Sequence, residues 1–223
     1  MYKPLDPENF LTENNIKQME LQLESYRSES DWWYFTRHAA YMHMIDPDLV
    51  SGLISENDKE KMLEKLRELK AEENWRGFAF QAARLKRLDP GLIYGEINSH
   101  DKKCITDKLT NHRQAENWLE FTLHAGRMKT LDQFQLENYL KSDDKEYMLE
   151  TLKQYRQNED WVSFTHQAGY MYVIDTDLVE GRLVDSDIEK IKGLLEKTRE
   201  QEQWQHFAYQ AAHMQILAGG VEV

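Results

Sequence analysis

Hydrophobic positions recur along this chain with two superposed periods, one of three to four residues within segments and one of 43 residues between them. The segment Trp161-Val162-Ser163-Phe164-Thr165-His166-Gln167-Ala168-Gly169-Tyr170-Met171 returns, with substitutions, at 32–42, 75–85, 118–128 and 204–214. With Trp counted as zero, Trp, Phe at +3, Ala at +7, Met or Leu at +10 and Ile or Leu at +13 share one arc at about 100° per residue. This predicts a long helix with one buried stripe, and Asp31, Asn74, Asn117 and Asp160, each just before a tryptophan, predict its N-caps. Upstream lies a second periodic stretch, with apolar residues at Met62, Leu66 and Leu69 or Met148, Leu152 and Tyr155, and charged residues such as Glu64 and Arg67 on the other side. Its first turn carries Asn15, Asp58, Asp101, Asp144 or Asp187, and an acidic group there complements the helix dipole.

Set in rows of 43 from Lys3, the chain forms five rows without insertion or deletion: 3–45, 46–88, 89–131, 132–174 and 175–217, with a tail at 218–223. Each row opens with a short segment that starts at Asp46, Asp89, Asp132 or Asp175 and ends at Gly52, Gly95, Asn138 or Gly181, which predicts one or two helical turns between a cap and a left-handed stop. The first row has Lys3 and Asn9 at these places, so its short helix is expected to be degraded. Paired small residues such as Ala82-Ala83 and Ala168-Gly169 let a neighbouring helix approach closely. The predicted fold is all-α: one right-handed α-solenoid of five repeats, each a short helix plus two long antiparallel helices. Three helices per repeat, with glycine between the first two, resembles an armadillo-type solenoid, and the repeat length overlaps HEAT repeats. The resemblance implies architecture alone, because the Trp-x-x-Phe-x-x-Gln/His-Ala-Ala/Gly signature carries no partner over from either family.

Composition narrows the function classes. A net charge of −12 and a pI near 5.2 oppose general nucleic-acid binding. The single cysteine, Cys104, excludes an internal disulfide and suits a reducing compartment; it reads as an incidental thiol on the outer helix face. No apolar run is long enough to cross a bilayer, so a cytoplasmic protein without membrane attachment is expected. The run Asp185-Ser186-Asp187 looks like the start of a calcium loop, but Lys190 occupies the place that needs glycine, and the run aligns with a helix start in the other rows. No cofactor and no metal are expected.

Positions alike in all rows serve the stack, whereas positions that differ are free for something else. On the second long helix the differing positions are +2, +5, +9 and +12, opposite the Trp/Phe stripe. They hold Tyr34, Arg37, Tyr41, Phe80, Arg84, Arg87, Arg127, His166, Tyr170, Tyr209 and His213, with four arginines and no lysine among all such positions. That composition is enriched at recognition surfaces, so the expectation is a concave groove for a protein or peptide. The competing reading is that these side chains pack between repeats. The +6 column, His38, Gln81, His124, Gln167 and Gln210, is expected to satisfy backbone groups. The second and third rows are neutral and the others acidic, which leaves a local basic patch suited to carboxylates.

The leading expectation is a non-enzymatic binding module. One alternative is an acidic inhibitor or immunity-type protein that neutralises a basic partner; another is an enzyme with a site at His166, His206 and His213 near rows four and five. The fifth row ends in Phe207, Tyr209, Met214, Ile216 and Leu217 with no further repeat to cover them, so this end is expected to self-associate or to accept a partner.

Overall fold

The computed structural model describes residues 11–217, with only the backbone of Phe134. The short segment of the first row and the tail 218–223 lie outside the described residues. Each row supplies one helix to an outer layer and one to an inner layer. The outer helices are α1 (Glu13–Ser28), α3 (Glu56–Ala71), α5 (Ser99–Gln114), α8 (Ser142–Gln157) and α10 (Asp185–Glu200). The inner ones are α2 (Trp32–Ile45), α4 (Trp75–Leu88), α6 (Trp118–Leu131), α9 (Trp161–Ile174) and α11 (Trp204–Leu217). The short segments are 3-10 turns at Pro47–Val50, Pro90–Ile93 and Thr176–Leu178, tighter than the helix expected. Row four, with Asn138 where rows two, three and five have glycine, makes a true helix there, α7 (Gln133–Tyr139).

Local sequence accounts for each element. Asp31, Asn74, Asn117 and Asp160 accept the backbone N–H three residues on, capping the inner helices as expected. Helix pairs are joined through a left-handed residue two before each tryptophan: Ser30, Glu73, Glu116, Glu159 and Glu202, with φ between 53° and 57°. The five phenylalanines at +3 are buried, and the half-buried tryptophans meet them edge to face at 5.2–5.7 Å. The supposed calcium-loop run is the first turn of α10, where Asp187 is buried and bonded by Arg156.

The joints between rows repeat one chemistry. Asp58, Asp101, Asp144 and Asp187 each accept the N–H of their own N-cap residue and a cation from the previous row. That cation is Arg27, Lys70, Arg113 or Arg156 in turn, at 2.5–3.1 Å. A buried carboxylate is tolerated because the cation answers its charge and the cap N–H one of its oxygens, although Asp101 Oδ1 bonds nothing.

The array does not end. α2 packs against α4, α4 against α6, α6 against α9 and α9 against α11; α11 then packs against α2, and α1 also touches α11. The rings of Tyr41 and Tyr209, from the first and last rows, are 4.8 Å apart across this closing joint. The solenoid is therefore a closed ring of five parallel inner helices within five outer ones. Small residues at +7 and +8 bring inner helices together while Met, Leu and Phe hold the outer layer apart, so each row is a wedge of about 72° and five complete the circle. Closure bears on two expectations. The apolar end of row five is covered by α1 and α2 of the same chain, which removes the physical ground for self-association there. An open concave groove is not formed, because the variable strip faces the axis of the ring.

The ring interior as candidate functional site

Five helices at about 8–10 Å spacing place each axis about 7–8.5 Å from the centre, so little beyond side chains fits inside. The variable positions fill it in four tiers. From the N-terminal mouth these are Tyr34, Gly77, Glu120, Ser163 and His206; then Arg37, Phe80, Leu123, His166 and Tyr209; then Tyr41, Arg84, Arg127, Tyr170 and His213; and last Met44, Arg87, Thr130, Val173 and Ile216. Tyr34 and His206 at the mouth are exposed. Arg37, Arg87, His166 and Tyr170 are half-buried, and Tyr41, Phe80, Arg84, Arg127, Tyr209 and His213 are buried.

All the strip residues expected to form a site are thus brought together, but around an axis rather than along a groove. Arg127 lies 3.2 Å from the centroid of the Phe80 ring and 4.7 Å from that of Tyr170. Arg84 covers Trp33 at 4.6 Å. Arg37 lies between Tyr41 and Tyr209 at 5.7 and 5.5 Å. The His213 ring is held by Tyr209, Tyr170 and His166 at 4.5, 5.2 and 5.5 Å. Two glycines make room: a Cβ on Gly126 would stand 2.6 Å from Tyr170 Cδ1, and one on Gly169 2.3 Å from His213 Nδ1.

The tiers hold four guanidinium groups against one carboxylate, Glu120, and that carboxylate accepts two bonds from Arg76 outside the strip at 2.9 and 2.7 Å. Arg127 donates to the Leu123 carbonyl at 2.5 Å and Arg87 to Thr130 Oγ1 at 3.4 Å, while Arg37 Nε and Arg84 Nη1 are buried without an acceptor. Burial pulls Arg84 down to about 10, with Arg127 and Arg37 adding to the effect beyond an opposing pull from Tyr41. Burial likewise lowers Arg87 and Arg127. Burial would raise the Tyr41 hydroxyl, but Arg37, Arg84 and Arg127 outweigh it and bring it down. His213 is pushed down to about 3 by burial and then by Arg87, so it is neutral. Part of the positive charge is answered by the fold: the parallel inner helices direct their C-terminal ends, each worth about −0.5 charge, toward the lower tiers.

Between those tiers lies a cavity of about 30 Å³, lined among others by Tyr41, Arg84, Arg87, Arg127, Tyr170 and His213. It has space for a water or a small ion and, among the described residues, no acidic one in its wall. A larger open groove of about 840 Å³ runs along α7 beside Lys129, Gln133, Lys141, Lys145 and Tyr172, and reaches the last interior tier at Val173.

The histidine constellation of the enzyme reading is split. His166 and His213 meet, whereas His206 is exposed at the mouth, and the residues around the meeting rings are tyrosines and arginines rather than a carboxylate. Cys104, expected as an incidental thiol, is half-buried with its Sγ 3.5 Å from His100 Nε2, one turn earlier on α5.

The +6 column does what was expected of it in three rows. His38 bonds the Met19 carbonyl at 2.9 Å; Gln81 and Gln167 bond those of Met62 and Met148, and also Thr36 and Thr122 of the previous inner helix at 2.8 and 2.9 Å. His124 departs from the pattern, since both its ring nitrogens are buried without a partner. It lies in a cluster with His112 and Glu120 that sequence reading missed, although the one-turn spacing of Glu120 and His124 was a signal for it.

Fold and interior together define a class: a closed ring of helical repeats with a polar, cationic core. No family model, no curated protein and no solved structure matches the chain.

Proposed function

We propose that this protein is a non-enzymatic binding module whose ring interior receives an anionic group, a carboxylate or phosphate, carried by a protein or peptide partner. The observation that carries the reading is the convergence of Arg84, Arg87 and Arg127 on one cavity with no acid in its wall among the described residues, while Arg84 keeps a buried N–H without an acceptor. Arginine serves such a role because its planar fork matches both oxyanions. The same single free cysteine that suits a reducing compartment makes the cytoplasm part of this proposal. Among the described residues no helix is long and apolar enough to cross a membrane.

The test is thermal unfolding in sodium phosphate, sulfate and citrate against sodium chloride of matched ionic strength, together with partner capture from the native host by wild type, Arg84→Gln and Arg127→Gln. Saturable stabilisation by an oxyanion, lost with partner capture in the folded variants, supports the proposal. Equal melting in all salts, with undiminished capture, overturns it.

One observation favours a second reading. The net charge of −12, with exposed carboxylates such as Glu64 and Glu150 on the outer helices, suits an inhibitor-type protein that meets a basic partner with that face. Capture that survives Arg84→Gln but fails after charge reversal at Glu64 and Glu150, both exposed on outer helices, selects this reading.

A further inference from the structure

We propose that His112, Glu120 and His124 form a binding site for a divalent transition-metal ion of the zinc type, clamping the end of α5 to α6 at the N-terminal mouth of the ring. The three residues each offer one ligand atom, and these atoms all lie within 4.8 Å of one another. Ligands about 2.0–2.1 Å from a tetrahedral zinc stand about 3.4 Å apart, so side-chain rotation closes the set without backbone rearrangement. The imidazole rings of His112 and His124 are already 4.9 Å apart, centroid to centroid.

The histidines are free for this role. His112 Nε2 and both ring nitrogens of His124 are buried and bond nothing, a costly state for polar groups. The contrast within the repeat sharpens the point, because the equivalent side chains of His38, Gln81 and Gln167 all reach a backbone carbonyl of the outer helix. Burial, followed by Arg127, lowers His124 to about 2, and burial, in part opposed by Glu120, lowers His112.

Glu120 supplies the negative charge. Arg76 holds its carboxylate by two bonds and fixes it in the manner of an outer-shell partner, leaving the remaining lone pairs for a metal. Arg127 opposes a cation, so the site is weaker than a structural zinc site of four charged or thiolate ligands. Two imidazoles and one carboxylate suit zinc, copper and nickel better than calcium or magnesium. His112 and Glu120 are half-buried, which gives an ion a way in from the mouth.

The experiment uses the full chain stripped with a chelator and titrated with zinc chloride by calorimetry. One ion per chain is expected, with a rise in Tm of about 5 °C at zinc well above Kd. His112→Asn and His124→Gln, the latter placing in row three the residue that rows two, four and five carry, should each weaken binding at least tenfold. Cys104→Ser should leave it unchanged, which separates this site from the Cys104–His100 pair, and cobalt substituted for zinc should show a tetrahedral spectrum without thiolate absorption. No heat from the stripped wild type overturns the proposal, as does stoichiometric binding that persists in both histidine variants or vanishes in Cys104→Ser. His112→Asn alone decides the matter if His124→Gln does not fold, because His112 lies at the edge of the core.

Discussion

Replacing Gly169 by alanine sets two effects against each other, and the structure decides the sign. Alanine within a helix is favoured over glycine by about 1 kcal/mol. Against this, the new Cβ would stand 2.3 Å from Nδ1, 3.1 Å from Cγ and 3.3 Å from Cε1 of His213. Separation at van der Waals contact requires the imidazole to retreat by about 1 Å. It has nowhere to go, being 1% exposed and hemmed by Tyr209, Tyr170 and His166. Overpacking of a rigid core costs about 1–3 kcal/mol, and with the ring blocked on three sides the upper half of that range applies, for a net loss of about 1–2 kcal/mol. Gly193 on the exposed side of α10 is the control, since its Cβ would meet nothing within 4 Å. Gly193→Ala should gain about 1 kcal/mol. The two variants should therefore differ by about 4–12 °C in Tm, with urea midpoints that move apart at constant m. Circular dichroism and tryptophan fluorescence should give coincident curves, because a closed ring has no terminal repeat to fray. Gly169→Ala at or above wild-type stability would refute the close seating of inner helices on which the interior tiers depend.

Further outcomes follow from other features. Acid should unfold the chain between about pH 6.5 and 4: His38, His124 and His213 have folded values lowered to about 4, 2 and 3, chiefly by burial, so the unfolded chain binds more protons in that window and stability falls as pH falls. Each contributes a slope approaching about 1.4 kcal/mol per pH unit, and a pH titration of circular dichroism should be shallower for His124→Gln. Glu116 at φ 53° bears a left-handed strain, so Glu116→Gly should gain up to about 1 kcal/mol, or about 2–4 °C; an unchanged urea midpoint counts against it. Removing row five, 175–217, should produce a self-associating chain by light scattering, since it strips cover from α2 and α9 at once; a stable monomer one repeat shorter would contradict closure.

Much of the fold was legible in the sequence because 43-residue periodicity repeats each signal five times. The caps at Asp31 and Asn74, the Phe35 and Phe78 cores and the divergent inner positions were all read from recurrence alone. Curvature was not, since it depends on summed wedge angles that no single residue announces. Yet closure leaves a trace. Gln81 follows Thr36 and Gln167 follows Thr122, and hydrogen bonds join them. Gln210 likewise follows Thr165, while His124 follows Ala79, where no hydroxyl is present. The rule that glutamine follows threonine and histidine follows alanine extends to His38 only if its predecessor is Ala208 of the last row. The cluster at His112 is not legible in the repeat pattern because it joins a variable outer position to a column whose expected role is to satisfy backbone groups.

Joining the first row to the last has a kinetic meaning. Inner contacts elsewhere in the ring pair residues one row apart, whereas Arg37 and Tyr41 meet Tyr209 across four. Bringing the ends of a segment four times longer together costs about 1.2 kcal/mol more in chain entropy, so this contact forms last. Before it does, the molecule is an open crescent with its arginines and tyrosines in water, and the rate of that final latch governs how long newly made chains remain vulnerable to one another.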